Sequence, residues 1–335
     1  MKDKVGLIGY GSMATALAKV LTNNIVKLNW IITNPEVLHC IKTHRHNSKY
    51  LAYVNFDLNK LELHSSLESG LNNSDIVFIS IPAAFLDNVL SKVDKSFFKN
   101  KKIVVAIKGL IPNKKMPLHQ YFEKVIDIPL TDYLAILGPS HAEEIVMEHF
   151  THLSLVSKNP LMFEMVAPLL DSYFLHLEYD ENLELAEYAA VVKNIYAILA
   201  GMCIGYGLGD NFLSILITKL VKEMKDFLKY LKNDIEVDIL QPLYLGDFLV
   251  TAYSQFSRNR SFGILLGKGY SLEYSKIEMK QTVEGYYGTL TLAEILGENI
   301  KKFPFIYSVY RVLSEKSPAR KEIDNIINMM WENKY

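Results

Sequence analysis

Cysteine is nearly absent: Cys40 and Cys203 are the only two in 335 residues, and they lie far apart. A disulfide framework and a zinc site built on cysteine clusters are therefore excluded as organising principles. An excess of either charge is also missing, since 36 basic and 37 acidic side chains leave a net charge of −1. That balance argues against a general electrostatic grip on nucleic acid or an anionic membrane, and leaves room only for a local basic pocket around a small anion. With 11 prolines and 17 glycines there is no Pro/Ser linker, no repeat and no low-complexity tract. Long apolar runs are lacking as well. The nearest approach to a membrane span, which needs ~18 uninterrupted apolar residues, covers 191–203 and is interrupted by Lys193 and Asn194. At the amino terminus Lys2 and Lys4 precede an apolar stretch, but Gly6, Gly9, Gly11, Ser12 and Lys19 break it into a strand, a turn and a helix rather than a signal peptide. The expectation is a cytoplasmic protein of a reducing compartment, with no nucleic-acid partner and no membrane span.

What is present is ordinary globular material, half apolar and 22% charged, in a chain long enough for two domains. Short β-branched runs at 5–8, 28–32, 76–81, 103–107, 133–137, 153–156 and 174–178 alternate with helical patterns through the first half. Such alternation predicts an α/β domain with a mostly parallel sheet and crossover helices. From residue 183 the pattern becomes helical, over 183–201 and 212–232 and then in shorter helices to the end. The expected division is thus 1–182 and 183–335, the second part all α. The long helices would form either a subunit interface or simply core.

Gly9-Tyr10-Gly11-Ser12-Met13-Ala14 fits the dinucleotide fingerprint G-x-G-x-x-G/A and stands between an apolar strand and an Ala-rich helix. The first glycine permits the turn, the second admits a pyrophosphate, and the small third residue lets the helix pack on the strand. The expected fold of 1–182 is therefore a Rossmann domain. The end of the second strand, Thr33-Asn34-Pro35-Glu36, carries no acid at the position that would read an NAD ribose, and Lys42, His44, Arg45 and His46 follow as either a phosphate contact or a solvated loop. Coenzyme preference stays open between NAD and NADP.

Open α/β sheets bind ligands at strand carboxyl ends, and two motifs fall there. Lys108 follows the strand at 103–107, and Gly138-Pro139-Ser140-His141-Ala142-Glu143-Glu144 follows that at 133–137, with Ser140 expected as a helix N-cap and Glu143 completing a capping box. Lys193 stands mid-helix in an otherwise apolar segment beside Asn194. A buried lysine is rare unless useful, and desolvation lowers its pKa toward that of a general base. Further on, Gly246-Asp247 and Thr251 lead to Ser257-Arg258-Asn259-Arg260. The arginines there suit a phosphate clamp or an ordinary surface loop, and Asp247 suits either orientation of Lys193 or acceptance of a substrate hydroxyl.

Taken together, G-Y-G-S-M-A-T-A-L-A at 9–18, K-G at 108–109, G-P-S-H-A-E-E at 138–144, V-K-N at 192–194, G-D-N at 209–211, L-G-D at 245–247, S-R-N-R-S-F-G at 257–263 and V-E-G-Y at 283–286 resemble the bacterial NAD(P)-dependent glycerol-3-phosphate dehydrogenases, in order and spacing over nearly the whole chain. The resemblance implies oxidation of glycerol 3-phosphate to dihydroxyacetone phosphate, run in reverse to feed phospholipid synthesis, by a homodimer. It implies Lys193 as proton acceptor, with Lys108 and Asp247 as catalytic partners. Lys108, Gly138, Ser140, Lys193, Asn194, Asp247, Ser257, Arg258 and Asn259 would surround the substrate. Gly9, Gly11, Ser12, Met13, Lys108, Ala142, Arg258, Thr282 and Glu284 would touch the coenzyme, and no metal is implied. The chain departs from the family at His141, at Met13, at Thr218-Lys219-Leu220 and at Thr33. Two other readings share some of these features. A dehydrogenase of the 6-phosphogluconate or 3-hydroxyacid type would also have a helix lysine, though not G-P-S-H-A-E-E together with S-R-N-R. A coenzyme-binding sensor without catalysis is opposed by Lys193, Asp247 and Arg258.

Overall fold

A computed structural model describes residues 4–232 and 236–332. Two compact units emerge: residues 1–107 with 118–184, and residues 108–117 with 185–335. A single cut after residue 182 does not reproduce this division, because the segment 108–117 packs with the helical unit rather than with the sheet around it in sequence.

The first unit is built on an eight-stranded sheet. In chain order its strands are β1 (Val5–Ile8), β2 (Leu28–Ile31), β3 (Leu61–His64), β4 (Ile76–Ile79), β5 (Lys102–Val105), β8 (Tyr133–Leu137), β9 (Thr151–Val156) and β10 (Leu175–Asp180). Their spatial order is β10-β9-β8-β5-β4-β1-β2-β3. All neighbours are parallel except β8 and β9, which run antiparallel. The central strands β1, β2 and β4 are buried at every residue, as a parallel sheet covered on both faces requires. Helices α1 (Ser12–Asn24), α2 (Pro35–His44), α3 (Leu67–Asn72), α4 (Ala83–Leu90), α5 (Leu118–Tyr121), α6 (Ala142–Val146) and α7 (Pro160–Val166) connect the strands. The indole of Trp30 on β2 meets Phe56 edge-on, with centroids 5.0 Å apart, inside a core that includes Leu17, Leu21 and Ile41. The order reverses at β1, whose neighbours are β2 and β4, so the ligand crevice of such a sheet lies outside the carboxyl ends of β1 and β4.

The second unit holds the two-stranded hairpin β6 (Leu110–Ile111) and β7 (Met116–Pro117). Its helices are α8 (Leu183–Tyr206), α9 (Asp210–Leu231), α10 (Asp247–Tyr253), α11 (Arg258–Gly267), α12 (Leu272–Glu278), α13 (Glu284–Leu296), α14 (Pro304–Leu313) and α15 (Ala319–Trp331). Helix α8 is long and apolar enough to cross a membrane by composition, but its residues are mostly buried within the protein. It meets α11 through glycines. A Cβ on Gly201 or Gly205 would stand 2.1–2.2 Å from the carbonyl oxygens of Arg260 and Ile264. One on Gly263 or Gly267 would stand 2.0 Å from those of Ile198 and Met202. The backbones therefore touch, and only glycine permits it. Nearby, the fully buried carboxylate of Glu223 on α9 accepts the amides of Phe305 (2.9 Å) and Ile306 (3.1 Å), capping α14 from a neighbouring helix, and also the Tyr196 hydroxyl.

Candidate active site

In the first unit, the turn between β1 and α1 has the features a bound pyrophosphate needs. Gly9 takes φ of +125°, and a Cβ there would lie 2.2 Å from the Ser80 carbonyl oxygen. The turn is fixed from outside by Trp30, whose indole N–H donates to the Gly9 carbonyl at 2.7 Å, and by buried Asn47, whose Nδ2 donates to the Tyr10 carbonyl and the Thr15 hydroxyl. Gly11 differs in kind. A Cβ there would meet nothing within 4 Å, so the fold itself does not demand glycine. The cradle in front of α1 stays open, and the helix start has neither a side-chain cap nor an acid in its first turn. Such a terminus suits a phosphate. Ser12 is buried at the first position of α1, and Met13 beside it is half-buried against the core.

At the carboxyl end of β8 the sequence expectation needs correction. Ser140 does not cap the helix: the cap position is His141, whose side chain makes no capping bond, and α6 begins at Ala142. The Ser140 hydroxyl turns back to donate to the carbonyl of Gly138 at 3.0 Å, and Gly138 itself takes a φ of +92°. Glu36, in the first turn of α2, is exposed and ion-paired with Lys49 at 2.6 Å. Asn34, rather than any acid, caps α2 by accepting the Val37 amide.

The second unit gathers the ionisable groups singled out in the sequence. Lys193 of α8 is 4% exposed and Asp247 of α10 is 1% exposed. The Lys193 ammonium donates to Asp247 Oδ1 at 2.5 Å and to the Thr251 hydroxyl at 2.8 Å. Lys108 reaches the same carboxylate, with Nζ 3.0 and 3.1 Å from its two oxygens. One buried carboxylate is thus shared by two amines. Burial pushes the Lys193 pKa down to about 7; Asp247 opposes the shift and Lys108 adds to it. Thr251, one helical turn after Asp247, also donates to the Asp247 carbonyl at 2.6 Å. No role is assigned to Thr251 from sequence; its i+4 spacing from Asp247 puts the two on one helix face, a signal that many helical threonines share.

The anion motif begins α11. Ser257 is the N-cap, its hydroxyl accepting the Arg260 amide, and Arg258 is the first helical residue with no acid in that turn. Asn259 is turned inward: its Nδ2 donates to Asn194 Oδ1 at 3.0 Å and its Oδ1 accepts the Gly285 amide at 2.8 Å. Glu284 opens α13. Thr282 lines an open hollow of about 200 Å³ with Phe262, Lys276, Gln281, Tyr286 and Tyr287.

Two family descriptions match the chain: the N-terminus of NAD-dependent glycerol-3-phosphate dehydrogenase over residues 4–162, and its C-terminus over residues 183–324. Among curated relatives, a glycerol-3-phosphate dehydrogenase [NAD(P)+] of Agathobacter rectalis is 30% identical, covering 97% of this chain and 96% of that protein. One from Staphylococcus haemolyticus is 27% identical over 97% of each. Among solved structures, glycerol-3-phosphate dehydrogenase from Coxiella burnetii superposes with a TM-score of 0.89 at 25% identity, covering 97% of this chain and 99% of that one. With an open glycine turn on a doubly wound sheet, a lysine–aspartate–lysine group in the helical unit, and relatives matched along almost its entire length, the chain belongs to the NAD-dependent glycerol-3-phosphate dehydrogenase family.

Proposed function

We infer that the protein catalyses the reversible NAD(P)-dependent oxidation of sn-glycerol 3-phosphate to dihydroxyacetone phosphate. The observation that carries this reading is the Lys193–Asp247–Lys108 group, a buried amine poised near neutrality in a chain that also presents a dinucleotide cradle. The nicotinamide, when bound, supplies or accepts the hydride at C2. Gly9, Gly11, Ser12 and Met13 hold the coenzyme at the start of α1, and Lys108, Ala142, Arg258, Thr282 and Glu284 complete the set that the family resemblance implies.

Lys193 moves the proton. In oxidation its neutral amine takes the C2 hydroxyl proton, and in reduction its ammonium returns one to the forming alkoxide. Acid–base help of this kind is worth on the order of 10²–10⁴-fold. Asp247 and Thr251 hold the Lys193 nitrogen in place. Lys108, bound to Asp247 through both oxygens, stabilises negative charge developing on the substrate oxygen. Arg258 and Ser257, at a helix start without an acid, take the substrate phosphate. Gly138 and Ser140 contribute to the same substrate, and Asn194 and Asn259 complete it.

The direct test mixes purified protein with dihydroxyacetone phosphate and follows absorbance loss with NADH and NADPH separately. Turnover is the expected outcome, and the two rates establish which coenzyme is preferred. Coenzyme binding without turnover would transfer the protein to a related dehydrogenase or a sensor. The same resemblance supports a homodimer working in the cytoplasm and feeding phospholipid synthesis; light scattering on the eluted protein should give twice the chain mass, and a monomer would refute the dimer.

A further inference from the structure

Three residues given roles in the reaction each have, as their next neighbour in the chain, one member of a buried hydrogen-bonded knot. Asn194 follows Lys193 on α8, Asn259 follows Arg258 on α11, and Gly285 follows Glu284 on α13. The Asn259 amide is the centre of the knot. Its Nδ2 donates to Asn194 Oδ1 at 3.0 Å, and its Oδ1 accepts the Gly285 amide at 2.8 Å. The orientation is unambiguous, because a backbone amide only donates and so the carbonyl end must face Gly285. Asn194 and Asn259 are 6% and 8% exposed. Gly285 fits only without a side chain, since a Cβ there would lie 2.7 Å from the Asn194 carbonyl and 2.9 Å from Asn259 Oδ1. The Gly285 carbonyl in turn accepts the Thr289 hydroxyl at 2.6 Å.

The Gly285 amide belongs to the first turn of α13, where helix amides have no partner within the helix. The residue at the cap position, Val283, offers no side-chain acceptor. Asn259 supplies that acceptor from another helix. One carboxamide, carried by the residue after the anion clamp, therefore links the side chain next to the base with the first-turn backbone of α13.

We propose that Asn259 is a positioning residue, its amide registering Lys193, Arg258 and Glu284 in one frame through Asn194 and Gly285. The proposal rests on the site reading given above. Hydride transfer demands close alignment, and a misplacement of about 1 Å costs roughly 10²-fold in rate. A residue that merely touched the substrate phosphate would have no effect on coenzyme affinity in the absence of substrate. A residue that fixes α13 would.

The experiment measures binary NADH affinity by fluorescence, together with kcat and KM for dihydroxyacetone phosphate, in the wild type, Asn259→Ala, Asn259→Asp and Asn194→Ala. Asn259→Ala should weaken binary NADH binding about tenfold, as loss of one buried hydrogen-bond partner does, and lower kcat by about 10²-fold. Asn259→Asp keeps the acceptor for Gly285 and, with the Asn194 amide flipped, the second bond too, so it should recover most of the NADH affinity. Asn194→Ala leaves the Gly285 bond in place, so NADH affinity should hold where Asn259→Ala loses it; if Asn259→Ala fails to fold, Gly285→Ala, whose Cβ would push against Asn259 Oδ1 and the Asn194 carbonyl, should weaken binary NADH binding instead, and unchanged affinity there would overturn the proposal. Unchanged NADH affinity in both Asn259 variants, with KM for the phosphate substrate raised and raised most by Asp, would confine Asn259 to a substrate contact and overturn the positioning role. Lower melting temperatures with wild-type affinity and kcat would overturn it as well. Wild-type protein that binds NADH but does not reduce dihydroxyacetone phosphate refutes the assigned reaction instead, and the coenzyme arm of the knot is still read from the affinities.

Discussion

Lys193 shows how burial brings an ordinary amine into the range of neutral pH. With its pKa pushed down to about 7 by desolvation, the amine is mostly protonated below that pH and mostly neutral above it. Glycerol 3-phosphate oxidation, which needs the neutral base, should rise as pH passes upward through about 7, and dihydroxyacetone phosphate reduction should fall over the same interval. Initial rates in both directions across pH 5.5–9 check this, and flat profiles would remove Lys193 from proton transfer. Lys108 adds to the depression and shares Asp247, so Lys108→Met should move both midpoints to higher pH while lowering kcat. Lys193→Ala should lose turnover by about 10²-fold or more with NADH binding intact. Lys193 was legible in the sequence because a charge in an apolar helix contradicts its surroundings. Thr251 was not, since a threonine in a helix commonly bonds the carbonyl four residues back, which it also does here.

Among the elements, glycines divide into those the fold requires and those it does not. The α8–α11 crossing is of the first sort, with backbone atoms where four Cβ atoms would stand. Gly263→Ala should destabilise by about 1–3 kcal/mol, in the range of overpacked cores, and a chemical-denaturation midpoint no lower than wild type would contradict the close approach. Gly11 is of the second sort, its missing Cβ pointing into open space. Gly11→Ala should leave the melting temperature of the free protein within error and weaken NADH binding, removing most of the thermal shift that saturating NADH produces. The periodicity made the central strands and the long helices readable from sequence, with α8 extending to Tyr206, five residues beyond the expected end. It did not reveal β3, where Leu61 and His64 are buried, Leu63 is half-buried against the core and only Glu62 is exposed. Four residues at a sheet edge carry too little pattern. The supposed cap at Ser140 misled for a related reason: a hydroxyl near a helix start has several carbonyls and amides within reach, and sequence does not say which it takes.

For the whole molecule, the chain's route matters more than its division. The sequence made two domains and the change from sheet to helix legible near residue 183, yet the hairpin of β6 and β7 sits with the helical unit, and Lys115 pairs with Glu294 at 3.3 Å. Nothing in a run of ten residues announces that it packs against partners more than 150 positions away. In native-state hydrogen exchange the amides of 110–116 should open together with α13 and not with the neighbouring strand β5; grouping with β5 would refute the assignment. The chain therefore passes between units three times, at 107/108, 117/118 and 184/185. Anyone building chimaeras from this family meets the result directly. A helical half cut out after residue 182 and joined to a foreign coenzyme-binding domain would leave behind Lys108, one of the two amines on Asp247. The recipient would have to be given that ten-residue excursion as well, so the two halves of this enzyme are not interchangeable cassettes but parts that inherit one another's chain.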